Sequence, residues 1–420
     1  MADASVTAPE QVPSGQRPSF GDSVRALEID LRIVGMLGAL GVIWIVFNVL
    51  SGGLFLTPRN LWNLSVQASA VGVMATGMVL VIVTRNIDLS VGSMVGFIGM
   101  AMALVQAEIL PDFIGFDHPM TWIIAVAVGM VLGALLGGFQ GWIVAYVGVP
   151  SFIVTLGGLL VWRGGAWALA SGRTIAPMDR FFQLIGGGSR GSIGATASWI
   201  VGIAAVAGIS ALLIKNRRQR HRYGFPVRPL WADITLGVLA GGAVFGAIGI
   251  TNNYAPIGRV LGIANPVLIL IGVTIAMTFI STRTKFGRSV FAIGGNPEAA
   301  ELAGINTRRT VMLVFMLMGI LVGVGAMITT ARLNAALSSL GTLAELSVIA
   351  AAVIGGTSLS GGIGSVPGAV LGALVMQSLV SGMVLIGVDA PLRNIVVGIV
   401  LVIAVAIDTS FRRRAERLTT

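Results

Sequence analysis

A chain of 420 residues that is 55% hydrophobic and only 10% charged carries more apolar surface than a water-soluble core of that length can bury. The formal charge of +10 does not indicate nucleic acid, because the basic residues, all arginine except Lys215 and Lys285, cluster between apolar runs, where they orient membrane spans. With no cysteine, disulfides and thiolate metal sites are excluded. The pattern predicts an all-α, polytopic membrane protein.

Residues 1–30, polar and Pro/Ser-rich, are expected to form a disordered cytosolic tail without a cleavable signal peptide. Leu31–Leu50 is long enough to span a bilayer, and Arg25 and Arg32 hold its start inside. Leu61–Thr84 returns to the stretch TRNIDLSVGS, where Asp88 is the expected N-cap of a helix from Leu89 to Gln106 with a small, polar face of Ser90, Gly92, Ser93 and Gly96. An acidic outer loop, Glu108–Pro119, precedes spans over Trp122–Tyr146 and Phe152–Ala170. Trp62, Trp122, Trp142, Tyr146 and Trp231 fall near predicted span ends, as an interfacial belt requires. The next outer loop, Ser171–Thr196, offends the positive-inside count with Arg173, Arg180 and Arg190 against Asp179 alone. It stays outside because Trp199–Ile214 must lead into Lys215–Arg228, a strongly basic loop without an acid.

Trp231–Ile250 and Val267–Thr282 then reach the charged segment 283–309. Here a short helix follows from side chains alone. Asn296 is an N-cap, Pro297 suits the first helical position, and Glu298 and Glu301 lie near the positive end; Ala299, Ala300, Leu302 and Ala303 favour helix, and Gly304 ends it. Basic residues on both sides place this small-surfaced knob in the cytosol, where a partner is expected. Val311–Ala331 crosses again, and Leu343–Leu385 holds two runs broken by IGGTSLSGGIGSVPG, either a full loop or a re-entrant dip. Leu392–Ile407 leads to a basic cytosolic tail, 410–420. The total is about twelve spans within 31–409, both termini cytosolic. Leu-Ser followed by Gly and Ser in both breaks hints at duplicated halves.

No catalytic, metal or cofactor constellation is present. The lysines lack the setting of a phosphate-binding loop, and His118 and His221 stand alone in loops. Asp88, Glu345, Asp389 and Asp408 lie near predicted helix ends, whereas proton-coupled carriers place ionisable groups near mid-membrane.

Three ordered motifs, NIDLSVGS, GRSVFAIGGNPEAAELAGI and AAVIGGTSLSGGIGSVPGAVLGA, resemble the permease subunits of bacterial ATP-driven sugar importers, a family that includes branched-chain amino-acid permeases. The resemblance covers about Leu31 to Ile407. It implies an inner-membrane permease that pairs with a second copy, docks a cytosolic ATPase and receives sugar from a periplasmic binding protein. It makes Gly294, Gly295, Asn296, Pro297, Glu298, Ala299, Ala300, Glu301, Ala303 and Gly304 the segment coupling permease to ATPase. Its small surface motivates the expectation that Ala300→Trp abolishes uptake without preventing insertion. For the translocation path the candidates are Asn86, Asp88, Ser90, Ser93, Gly355, Gly356, Thr357, Ser358, Gly361 and Gly362; Asp88, Ser90 and Ser93 equally suit helix capping and packing. The stretch 195–254 reads as a helix pair inserted into a ten-helix core, similar to the longer D-xylose permeases. The alternatives are a branched-chain amino-acid or nucleoside permease of the same family, or an ion-coupled sugar carrier.

Overall fold

The computed structural model describes residues 31–417, so the 1–30 tail and the last three residues of the C-terminal tail lie outside the described residues. Among the described residues there is no β-strand, and ten helices are long and apolar enough to cross a membrane. In chain order the principal helices are α1 (Leu31–Leu50), α2 (Pro58–Val83), α3 (Val91–Leu104), α4 (Thr121–Trp142), α5 (Ser151–Leu169), α6 (Gly194–Arg222) and α7 (Leu230–Asn252). They continue as α8 (Asn265–Arg283), α9 (Lys285–Gly295), α10 (Pro297–Leu302), α11 (Thr307–Leu333), α12 (Ala344–Ile354), α13 (Val366–Leu385) and α14 (Ala390–Arg417). A π-turn and a single α-turn carry the α3 span on to Ile114. At 11 residues, α12 rises only about 16 Å, half of a hydrocarbon core. It is a half-helix that turns back at the glycine break into α13.

Contacts gather into two compact units. In one, residues 202–245, Arg217 donates to Asp233 Oδ2 at 2.7 Å and to the Arg228 carbonyl at 2.9 Å. The basic run expected to be a loop is largely helical, because α6 continues to Arg222 and gathers cations at its negative end.

The other unit comprises 32–201 and the described residues from 246 onward. Its centre is α2, which starts where Thr57 Oγ1 accepts the Asn60 amide and Pro58 takes the first position. α2 packs against α8, α11 and α13, and Met78, Val79, Phe315, Met318 and Val322 are fully buried between these elements. α11 lies along α4 with backbones touching. A Cβ on Gly133 would collide with the Gly319 carbonyl, and one on Gly137 with that of Phe315. Small residues let the two helices approach this closely, which is the chief means of helix association where lipid removes the hydrophobic drive.

Trp62 departs from the interfacial belt expected of it. It is buried, donates to the Gly262 carbonyl at 2.9 Å and packs against Tyr254. At the α11 C-terminus, one of the arginines that make the 171–196 loop basic is balanced from elsewhere in the chain. Arg173 pairs with Glu108 at 3.1 Å, and the Arg180 amide donates to Asp117 at 2.9 Å. In the same cluster Asp179 accepts the Phe181 and Phe182 amides through Oδ1, while its buried Oδ2 has no hydrogen-bond partner. Burial pushes the Asp179 carboxyl above its ordinary 3.8; the two amides oppose this, and the Asp117 carboxylate adds to it. A raised folded-state value favours the protonated form, so this contribution to stability is complete below pH 3.8 and is lost as pH rises through the higher folded value. Asp179→Asn keeps the amide-accepting oxygen and removes the charge. It is expected to melt higher than the wild type at pH 7, by roughly 2 °C, with the difference shrinking as pH falls in a detergent melting series.

Candidate functional site

Thr284 Oγ1 accepts the Gly287 amide at 3.1 Å and starts α9, an amphipathic helix that buries Gly287, Val290, Ile293 and Gly294 and exposes Lys285 and Arg288. The chain then turns into α10. Asn296 Oδ1 accepts the Ala299 amide at 3.1 Å, Pro297 is the first helical residue, and Gly304, at φ +79°, closes the far end. Thr307 Oγ1 reaches Glu301 Oε1 at 3.1 Å and ties α10 to the start of α11. The helix foreseen from capping chemistry is therefore present with its ends in place.

Which residues face out is another matter. Ala300, expected on the small outer surface, is buried at 4% exposure, because it is the inward residue of a two-turn helix laid against the bundle. Ala299, Ala303, Glu298 and Glu301 are exposed. Leu302, which the sequence reading left out of the site, is 91% exposed at the tip.

Beneath α10 the second and third sequence motifs meet the end of α2. α9 ends on Gly294, where a Cβ would collide with the Val83 carbonyl at the end of α2. The Val83 carbonyl in turn accepts the Gly362 amide at 3.0 Å. Arg85, one turn-residue past α2, donates from Nε to the Gly294 carbonyl at 2.9 Å and from Nη2 to the Gly295 carbonyl at 2.7 Å. Gly361 and Gly362 sit at φ +85° and +75°, a conformation that favours glycine, and the Arg85 stem fills the space beside Gly361. Thus Gly294, Gly295, Gly361 and Gly362, proposed for two different roles, form one junction with a residue that was not singled out, Arg85.

The remaining path candidates occupy two tight turns. Asp88 is not the N-cap of α3; Ser90 holds that position. Asp88 Oδ1 instead accepts the Ser90 amide at 2.9 Å and lies 2.6 Å from Ser90 Oγ, so its side chain satisfies the turn before the helix begins. Ser90 Oγ is also 3.0 Å from Gln140 Oε1 of α4, and Ser93 Oγ donates to the Ser90 carbonyl at 2.8 Å. Asp88, Ser90 and Ser93 are buried, and Asn86 is half-buried with its amide on the Thr84 carbonyl. In the glycine break, Gly355 packs on the Gly368–Ala369 backbone, Gly356 is at φ +90°, and the Ser358 amide donates to the Ile363 carbonyl at 2.9 Å. Thr357 Oγ1 is buried without a hydrogen-bond partner. The glycine break thus leaves one buried hydroxyl unpartnered, whereas the polar side chains of the 86–93 turn are hydrogen-bonded.

A family model described as a branched-chain amino acid transport system permease component matches residues 60–405. The chain is 38% identical over 398 residues to the xylose transport system permease protein XylH of Escherichia coli (strain K12), covering 95% of this chain and 97% of that one. It is 42% identical over 386 residues to the protein of that name from Haemophilus influenzae, covering 92% and 98%. To the ribose import permease protein RbsC of Escherichia coli (strain K12) it is 32% identical over 371 residues, covering 88% and 91%. No solved structure matches the chain. Permeases of such importers act with an ATPase and a substrate-binding protein. The chain is a multi-pass membrane protein and a transport subunit with no enzymatic role of its own, and it belongs to the branched-chain amino acid transport system permease family.

Proposed function

We propose that this chain is the membrane-spanning subunit of an ATP-driven importer of D-xylose in a bacterial inner membrane. The observation that carries the substrate is the near full-length likeness to xylose permeases from two organisms, at 38% and 42% identity, against 32% for the ribose permease. In this reading two copies pair around the path, a periplasmic protein delivers the sugar, and both termini face the cytosol. α10 is the coupling helix, seated by Leu302, Ala299 and Ala303 in a groove of the ATPase. The breaks at 86–93 and 355–362 open and close the path as that helix is displaced. Residues 195–254 are a helix pair inserted into the sequence of the ten-helix core. Selectivity resides chiefly in the delivering protein.

The test is uptake by proteoliposomes holding the permease, its ATPase and the xylose-binding protein. ATP-dependent accumulation of xylose is expected, at a rate at least tenfold above that of ribose or leucine. Uptake by the permease alone down a proton gradient, or ATP-driven accumulation of ribose or leucine in preference to xylose, would overturn the proposal.

A further inference from the structure

We propose that Arg85 is the clamp that makes α10, the end of α2 and the glycine break move as one body; it is a positioning residue for transport. The inference rests on α10 being the seat of the ATPase, as proposed above.

The first observation is a residue where glycine belongs. α2 ends with the Asn86 amide on the Val81 carbonyl at 3.1 Å and the Arg85 amide on the Ile82 carbonyl at 2.9 Å. This is the paired-bond helix stop whose left-handed position is normally glycine. Arg85 occupies it at φ +62°, a conformation that L side chains adopt only under strain. Local structure alone would be better served by glycine, so the side chain accounts for the residue.

The second observation is where that side chain goes. Its two donors take the last two carbonyls of α9, the residues from which α10 springs, 209 and 210 positions along the chain. Capping those carbonyls does not need an arginine, since the outer bond is solvent-exposed and water can fill it. What water cannot do is hold them to α2. The third observation is the Val83–Gly362 bond immediately beside it, which joins the glycine break to the same point. Gly294, Gly361 and Gly362 have no room for a side chain there, so the three segments are in direct backbone contact and Arg85 crosses between them. A push on α10 reaches the end of α2 through this guanidinium, and the glycine break follows through its backbone bond to Val83, without passing through the length of any span.

Arg85→Gly separates the clamp from a merely structural role, because it removes the side chain while relieving the backbone. In the complete transporter this variant is expected to insert, to melt at or above the wild-type temperature and to retain ATP hydrolysis. The number of ATP molecules hydrolysed per xylose moved should rise about tenfold, the loss expected when a charged pair of hydrogen bonds is removed. Arg85→Lys, which reaches one carbonyl at a time, should fall between the two. A ratio within twofold of the wild type in Arg85→Gly, or failure of that variant to assemble, overturns the clamp. If the wild-type transporter moves no xylose, the function proposed above fails. The clamp is then judged by hydrogen exchange in the permease: amides of 297–305 should exchange about tenfold faster in Arg85→Gly, and unchanged rates overturn it.

Discussion

Leu302→Asp leaves the permease folded and inserted but removes ATP-driven xylose uptake. The side chain is 91% exposed, so the substitution disturbs nothing within the chain. Burying a leucine against a partner contributes about 1.5–3 kcal/mol, so its loss alone weakens docking by roughly 10- to 100-fold. A carboxylate in the same groove adds an unpaired charge to that loss. The expected readouts are loss of ATPase co-purification and of uptake, with unchanged yield and melting temperature of the permease. Ala299→Trp, also exposed, should behave in the same way. Ala300→Trp should not, because a buried 4% position cannot admit an indole without unseating α10, and it is expected to lower the melting temperature as well as uptake. Normal ATPase retention by both Leu302→Asp and Ala299→Trp would show that the partner docks elsewhere.

The second large effect is on assembly of the bundle. Gly137→Leu places a branched side chain where the Phe315 carbonyl of α11 already lies, and no rotamer avoids backbone atoms. The two helices must separate along their whole contact, at a cost of about 3 kcal/mol or more. The expected outcome is loss of monodisperse protein on detergent extraction. Gly157→Leu on α5 is the matched control, since a Cβ there meets nothing within 4 Å, and its yield should equal that of the wild type. Equal yields of the two variants would mean that α4 and α11 are not in close contact.

Local chemistry was legible in advance wherever a few neighbouring residues decide the structure. Asn296, Pro297 and Gly304 define both ends of α10 because a cap, a fixed φ and a left-handed stop act within one turn. Asp88 shows the limit of the same logic: its carboxylate can cap or close the preceding turn, and the Ser90 hydroxyl beside it favours the turn. Span placement was likewise legible from apolar length for the ten long helices among the described residues, though not the expected total of about twelve, because α12 has only 11 residues. The inward-facing side of α10 was not, because a short alanine-rich helix has no hydrophobic stripe, and only the bundle beneath decides that Ala300 is covered and Leu302 is not. Arg85 was hidden for a different reason. Its partners lie more than 200 residues away, and an arginine next to an apolar run reads first as a topology signal. A smaller sequence separation, 65 residues, was enough to hide the Arg173–Glu108 pair, and the 171–196 loop therefore seemed too basic for its side.

The interior position of α2 has a consequence for counting this protein's crossings by chemistry. α1 and α2 are both strongly apolar, yet 17% of one and 83% of the other is shielded by neighbouring helices. A carbene precursor dissolved in acyl chains inserts into what it can touch, so it would tag α1 densely and skip α2. An inventory of crossings made by such photolabelling would omit the helix on which the others are stacked.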